Sequence, residues 1–297
     1  MIRRRIELRG PLDLVATLRP LVHGRADRTT HLGRDEAALA FRTPAGPATL
    51  LLRLESPGVL GARAWGDGAE HAVASAAELV GEEDRPELFV PRHAILAELA
   101  RRHPGLRLPR TRRVLHALVP TILEQKVTGT EAFRSYGSLL RRYGEPAPGP
   151  IDLLLPPPPA ILATLPYHAL HPLGVERRRA DVIRRAASHA LALESAVTAA
   201  DSARRLASLP GIGPWTVAEV LRSAFGDPDA VSVGDYHVPS MVAWALAGEP
   251  RADDARMLEL LEPYLGQRGR VQRLLELGRV VAPRRGPRYA PRSIAAI

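Results

Sequence analysis

Two stretches of this chain carry residue types whose spacing suits chemistry. The first is Leu209-Pro210-Gly211-Ile212-Gly213-Pro214-Trp215-Thr216. It reads as a tight hairpin between two helices. Glycine opens backbone conformations closed to other residues and leaves no side chain in the way. A phosphate can therefore reach the bare N–H groups, at the positive end of the helix that follows. Such a grip is blind to base sequence and fixes register on a nucleic-acid backbone. Ile212, between the glycines, most simply plugs the space between the helices. The second stretch is Val231-Ser232-Val233-Gly234-Asp235-Tyr236-His237. It sets one acid, Asp235, directly before another helix, where an aspartate is a favoured N-cap and also a carboxylate held at a fixed point.

Composition narrows the setting. The net charge of +9 is the footprint of a polyanion partner. Lys126 is the sole lysine, so nearly all of this charge is arginine, and the accompanying alanine and proline bias also fits a high-GC coding background. The absence of cysteine excludes disulfides, thiolate zinc sites, cysteine nucleophiles and cysteine-held iron–sulfur clusters. No apolar run approaches the ~20 residues of a membrane helix, and Met1 to Leu8 has no apolar signal-peptide core. The expectation is a soluble, cytoplasmic, nucleoid-associated monomer with no membrane contact.

The elements that must position these stretches divide the chain in two: an α+β region over 1–88 with an antiparallel sheet, and a mostly helical region over 89–297. Ile2 to Leu8 predicts a strand. Leu12, Val15, Leu18 and Leu21 recur at helical spacing. Residues 37–42 and 48–54 predict a hairpin around the Pro- and Gly-rich turn 43–47, and a helix follows over 69–80. No catalytic cluster lies here, which points to a structural or docking role. From 90 onward the pattern is helical: a segment after Pro91, a helix over 111–125 kinked by Pro120, and one over 131–143 stopped by Gly144. The Pro-rich loop 145–159 is apolar enough to pack on the surface. A helix over 176–193 turns Val182, Ile183, Ala186, Ala187, Ala190 and Leu191 inward and Arg177, Arg178, Arg179, Arg184 and Arg185 outward. Helices over 201–208 and 215–225 flank the hairpin, the second with Trp215, Ala218, Leu221 and Phe225 on one side. Helices over 235–247, 254–265 and 271–281 precede a basic tail at 284–288.

The hairpin and the acid segment together resemble the helix-hairpin-helix DNA glycosylases. Weaker similarity runs from Glu124-Gln125-Lys126-Val127-Thr128 over most of 90–281. The N-terminal α+β region is similar to the extra domain of the alkylation-repair branch, the 3-methyladenine DNA glycosylase II type. Asp235 stands where that superfamily has its catalytic aspartate, and His237 resembles a histidine found after it in several branches. The resemblance implies a partner, double-stranded DNA containing damaged bases. It implies DNA contacts at Gly211, Ile212, Gly213, Thr216, Gln125, Lys126, His237 and Arg270. No cofactor is required; a Na+ or K+ ion at the backbone carbonyls of Leu209 and Ile212 is compatible with it, and no side chains are expected to bind metal.

The chemistry follows from charge. Breaking an N-glycosidic bond builds positive charge on the sugar, which one fixed carboxylate can stabilise while it orients water. Glycosidases acting on ordinary sugars usually need a second carboxyl group as acid. An alkylated base already carries positive charge and leaves readily, so Asp235 alone can suffice. Strand-cutting members of the superfamily have a lysine at the position of Trp215. The tryptophan therefore implies a monofunctional glycosylase for alkylated purines in base excision repair. Trp215 is either a core aromatic or a pocket wall that stacks on a flipped base; Tyr236 is a second pocket candidate. A member of the alkylation-repair branch has an apolar wedge near Gln125-Lys126, where this chain has Lys126. It also has a pocket tryptophan near 266–270, where this chain has none; Arg270 there is a candidate phosphate or structural contact. The alternatives are a glycosylase for an oxidised or deaminated base, and a non-catalytic hairpin DNA-binding protein.

Overall fold

Alternating apolar residues build the first half. The computed structural model describes residues 1–283 and 294. Strands β1 (Ile2–Glu7), β2 (Thr30–Leu32), β3 (Glu36–Thr43), β4 (Gly46–Ser56) and β5 (Val59–Trp65) form one antiparallel sheet in the order β1-β5-β4-β3-β2. Period-two alternation sends Leu39, Phe41, Leu50, Leu52, Leu60, Ala62 and Ala64 to one face. Helices α1 (Leu14–Leu18), α2 (Ala69–Ala74) and α3 (Ala76–Leu79) bury that face. Two strands of this sheet were not anticipated, β2 and β5. In β5 the glycine and arginine that interleave Leu60, Ala62 and Ala64 hide the alternation. The helix expected over 69–80 is two short ones, because Ser75 lies between them with φ −85° and ψ 1°.

The second half is helical: α4 (Ala94–Arg102), α5 (Val114–Glu124), α6 (Gly129–Tyr143), then a small ribbon of β6 (Glu145–Pro146) and β7 (Leu154–Leu155). After it come α7 (Pro159–Thr164), α8 (Tyr167–Leu170), α9 (Arg177–Ser188), α10 (Ala190–Glu194), α11 (Ala199–Ala207), α12 (Pro214–Ala224), α13 (Val238–Ala247), α14 (Asp254–Leu261) and α15 (Arg268–Leu277). The α5 helix runs through Pro120 without interruption. One core joins α5, α6, α9 and α12 through Leu118, Ile122, Leu139, Ile183 and Val220. A second joins α4 to α13, α14 and α15 through Leu96, Val242, Met257, Leu261 and Leu275. The chain thus enters the second core with α4, leaves to build the first, and returns at Val231. The hairpin belongs to the first core and the acid segment opens the second, so the site lies at their seam. The Pro-rich loop packs as expected, with Leu153 and Leu155 against Ala38 and Ala40 on the outer face of the sheet.

Two side chains on the arginine-rich helix depart from expectation. Arg179 is buried, not outward, and donates to Leu123 O at 2.7 Å, where it satisfies a carbonyl at the C-terminal end of α5. Leu191 is exposed, not inward, because the helix breaks after Ser188 and α10 starts afresh. The basic tail at 284–288 lies outside the described residues. Among the described residues no helix is long and apolar enough to cross a membrane.

His116, on α5, carries a pH consequence. Burial first, and then the charges of Arg113 and His23, push its imidazole down to about 3. The folded protein keeps it neutral while the unfolded chain protonates it near the ordinary value. Between these two values the unfolded state binds more protons, so stability falls as pH falls. His116→Gln is expected to flatten the decline of melting temperature between about pH 6 and pH 4. An unchanged slope of melting temperature against pH contradicts this.

Candidate active site

Asp235 and Trp215 meet across the seam. Pro214 begins α12 at a position that tolerates its missing N–H, and Trp215 follows in the first turn. Its indole Nε1 donates to Asp235 Oδ2 at 3.0 Å. The other oxygen, Oδ1, accepts from the backbone N–H groups of His237 at 2.6 Å and Val238 at 2.9 Å. The N-cap of α13 is His237, so Asp235 is not the cap residue the sequence suggested; it stands two residues earlier, accepts both the first N–H groups of the helix entry and the indole bond, and stays half-buried. Trp215 is half-buried too, while Ala218, Leu221 and Phe225 behind it are in the core. A carboxylate fixed by three donors from two elements can face a developing cation without reorganising.

The segment carrying Asp235 is anchored below by a buried polar network. Ser232, fully buried, donates its N–H to Gln272 Oε1 at 3.0 Å and its hydroxyl to Glu219 Oε1, and it accepts from Gln272 Nε2 at 2.8 Å. Glu219 is one turn beyond Trp215 on α12. Three side-chain bonds thus tie α12 to the acid segment, Trp215 to Asp235 and both Glu219 and Arg222 to Ser232. Arg222 lies between Glu219, at 3.0 Å, and Glu276 on α15, at 2.7 Å. Burial pulls the guanidinium down, but Glu276 and Glu219 outweigh it and hold Arg222 above its usual value. Burial likewise pushes Glu219 up, against the attraction of Arg222. Glu276 ends below its usual value, since Arg222 overcomes its burial. Above the network, Gly234 adopts φ +92° and donates its N–H to Asp254 at 3.0 Å. Sequence reading missed all of these supports.

The hairpin is held from two sides. Gln125 Nε2 donates to Gly211 O at 3.1 Å and to Thr216 Oγ1 at 2.9 Å. Arg185 donates to Pro210 O at 2.6 Å. Gly211 has φ +96°, and a Cβ there would collide with Val182 Cγ2, so only glycine suits it. Gly213 differs: its φ is −103° and a Cβ would meet open space. No protein atom and no backbone strain requires glycine at 213, which leaves room for a group approaching from outside. Lys126 sits exposed at the turn between α5 and α6 with φ +57°.

Other expected residues fall elsewhere. Ile212 is buried in the first core, and Thr216 is buried with its hydroxyl taken by Gln125; neither side chain faces solvent. Arg270, a candidate phosphate or structural contact, is turned inward. It is buried, ion-paired with buried Asp84 and bonded to Gln267 Oε1 at 2.7 Å, and so ties α15 to the segment before α4. Tyr236 is 81% exposed and stands edge-on to exposed His237, beside Asp235 in sequence but not packed as a wall. Among the described residues no group of three His, Asp or Glu side chains could hold a metal ion. Arg185 and Gln125 take the carbonyls of Pro210 and Gly211. Leu209 O accepts from Ile212 N at 3.0 Å.

No family model matches the chain. Over 135 residues, 44% of this chain, it is 31% identical to the probable bifunctional transcriptional activator/DNA repair enzyme AlkA of Mycobacterium tuberculosis. That match spans 27% of the length of AlkA. It is 27% identical over 179 residues to YfjP of Bacillus subtilis, whose name places it with the DNA-3-methyladenine glycosylases, covering 57% of this chain and 61% of that one. The fold is that of a 3-methyladenine DNA glycosylase from Archaeoglobus fulgidus, with a TM-score of 0.77 and 18% identity over 93% of this chain and 98% of that one. The fold also matches MBOgg1 solved with a low-affinity DNA ligand, with a TM-score of 0.72 and 14% identity over 94% and 97% of the two chains. By their names the curated relatives are a DNA repair enzyme and a DNA-3-methyladenine glycosylase, and the first of the two structures with this fold is a 3-methyladenine DNA glycosylase.

The network beneath Asp235 makes a stability prediction. Arg222→Met leaves Glu219 and Glu276 buried without their shared cation. Removal of one partner from such a buried group is expected to cost about 3–5 kcal/mol, read as a lowered midpoint in chemical denaturation. A midpoint equal to that of the wild type contradicts the role assigned to Arg222.

Proposed function

We propose that this chain, with the fold and relatives of helix-hairpin-helix DNA glycosylases, is a monofunctional DNA glycosylase that hydrolyses the N-glycosidic bond of alkylated purines. The observation that carries this reading is the Trp215–Asp235 pair: a half-buried carboxylate bonded to an indole N–H. Asp235 stabilises the oxocarbenium-like sugar and orients the attacking water. Its two backbone donors and the indole keep both oxygens in place while positive charge develops. The cationic base leaves without a second carboxylic acid. Trp215 holds the position where strand-cutting relatives need a lysine amine, and an indole nitrogen cannot form a Schiff base.

In this reading the duplex is gripped at the bare N–H groups around Gly211 and Gly213, with the open space beside Gly213 taken by a phosphate. Lys126, exposed at its turn, adds a charge to the backbone or stands in the gap left by the flipped nucleotide. Gln125 acts from inside, by holding the hairpin rather than the DNA. Tyr236 and His237 are exposed next to Asp235 and flank the target nucleotide. A Na+ or K+ ion at Leu209 and Ile212 would steady the same phosphate. The protein works as a monomer on cytoplasmic, nucleoid DNA.

A base-release assay on duplexes with alkylated, oxidised and deaminated bases tests the proposal. Wild type is expected to free 3-methyladenine or 7-methylguanine, and Asp235→Asn to lose about a hundredfold or more in rate. Borohydride is expected to trap no protein–DNA adduct. Full release by the variant, or a trapped adduct, would sink the mechanism.

A further inference from the structure

Outside the cleft, the N-terminal sheet presents an arginine surface that the cleft chemistry does not use. Residues at i and i+2 on a strand share a face, and the strand register shows which. Arg3 on β1 lies opposite Arg63 on β5, which lies opposite Leu51 on β4. In the next row Arg5 lies opposite Gly61, which lies opposite Arg53. Arg3, Arg5, Arg53 and Arg63 therefore stand on the outer face of three adjacent strands, and all four are exposed; exposed Glu7 and Glu36 share that face, Glu36 directly opposite Arg53, and Glu55 lies over Gly61. The β3 side of this face is covered by the Pro-rich loop through Leu153 and Leu155. What remains open is the arginine part. Arg5 is 3.8 Å from Glu55; Arg3, Arg53 and Arg63 have no acidic partner within salt-bridge distance among the described residues. Arg3, Arg5, Arg63 and Glu55 line a shallow depression there.

Protection of an exposed sheet edge by charge explains arginines on β1. Arg53 on β4 has Glu36 directly opposite it on β3, but neither reason explains Arg63 on β5, an interior strand. Like charges directly opposite each other destabilise a sheet, and Arg3 opposite Arg63 is such a pair. Neighbouring strands are about 4.8 Å apart and successive same-face residues about 6.7 Å apart. Arg3, Arg5 and Arg63 therefore form a compact fork-bearing surface with Glu55 at its rim and Arg53 beyond it, and guanidinium is the side chain best shaped for bidentate phosphate contact.

We propose that this outer sheet face is a second binding site for the phosphate backbone of double-stranded DNA, separate from the hairpin and from Asp235. It takes no part in base release. It contacts duplex outside the lesion and adds a sequence-blind, salt-sensitive share to binding. The choice of DNA over other polyanions rests on the reading of the cleft as a DNA site.

The test is binding of an undamaged long duplex by the full-length protein across a salt series, with base release from a short lesion duplex measured in parallel. Arg3→Gln/Arg63→Gln is expected to weaken long-duplex binding about tenfold at low salt and to reduce the log–log salt slope by about two. Arg3→Lys/Arg63→Lys is expected to keep most of both, and base release from the short duplex is expected to be unchanged in both variants. Affinity and slope equal to wild type in the glutamine variant would overturn the proposal. So would a loss seen for anionic phospholipid vesicles but not for duplex. Absence of base release by the wild type would instead count against the proposed function, while the long-duplex comparison still decides the sheet site.

Discussion

The hydrogen bond from Trp215 Nε1 to Asp235 Oδ2 is the interaction on which the rest of this site depends. It joins the helix that leaves the hairpin to the segment that opens the second core. The bonds of Glu219 and Arg222 to Ser232 tie the same two packing units together lower down, but only the indole bond reaches the carboxylate itself. With it, whatever the hairpin holds is registered against the carboxylate. The backbone donors of His237 and Val238 complete the restraint from the opposite side. Accepting the first N–H groups at the entry to α13 and presenting a carboxylate are thus one geometry at Asp235.

Underneath, the chain buries charge where apolar packing would be simpler. Ser232, Gln272, Glu219, Arg222 and Glu276 bind one another in the seam between the cores. Such networks are weak evidence for stability, since well-packed apolar residues often do as well. Their use here is register. A polar ladder has one satisfied arrangement, and that arrangement sets how far the acid segment stands from α12. Arg179 and Arg270 serve the same end elsewhere, one at the C-terminal end of α5 and one between α15 and Asp84.

What was legible in the sequence was local. The hairpin glycines, the proline at the first position of α12 and the aspartate before α13 all declare themselves within a few residues. Helix existence followed from apolar period, and the sheet's β3–β4 hairpin from its turn residues. The supports of the site were not legible, because each pairs residues far apart: Ser232 with Gln272, Arg222 with Glu276, Gln125 with Thr216. No short-range pattern records such pairings. Arg179 could have been placed correctly. It falls at i, i+3, i+4 and i+7 with Val182, Ile183 and Ala186, on the inward stripe, and only its charge argued otherwise. The reason for glycine also divides between two positions: Gly211 needs its φ and its space, whereas Gly213 needs neither within the protein.

Trp215→Phe tests the central interaction most directly, because it keeps an aromatic ring at the site and removes the one N–H. The measurement is single-turnover base release from an alkylated duplex, with duplex affinity and thermal melting measured alongside. A hydrogen bond to a charged group contributes about 1.5–3 kcal/mol, so the melting temperature is expected to fall by a few degrees and the rate constant, where the bond also steadies the transition state, roughly 10- to 100-fold, while affinity stays close to wild type. A rate constant equal to that of the wild type would contradict the account, since Asp235 would then act without the indole that joins it to the hairpin.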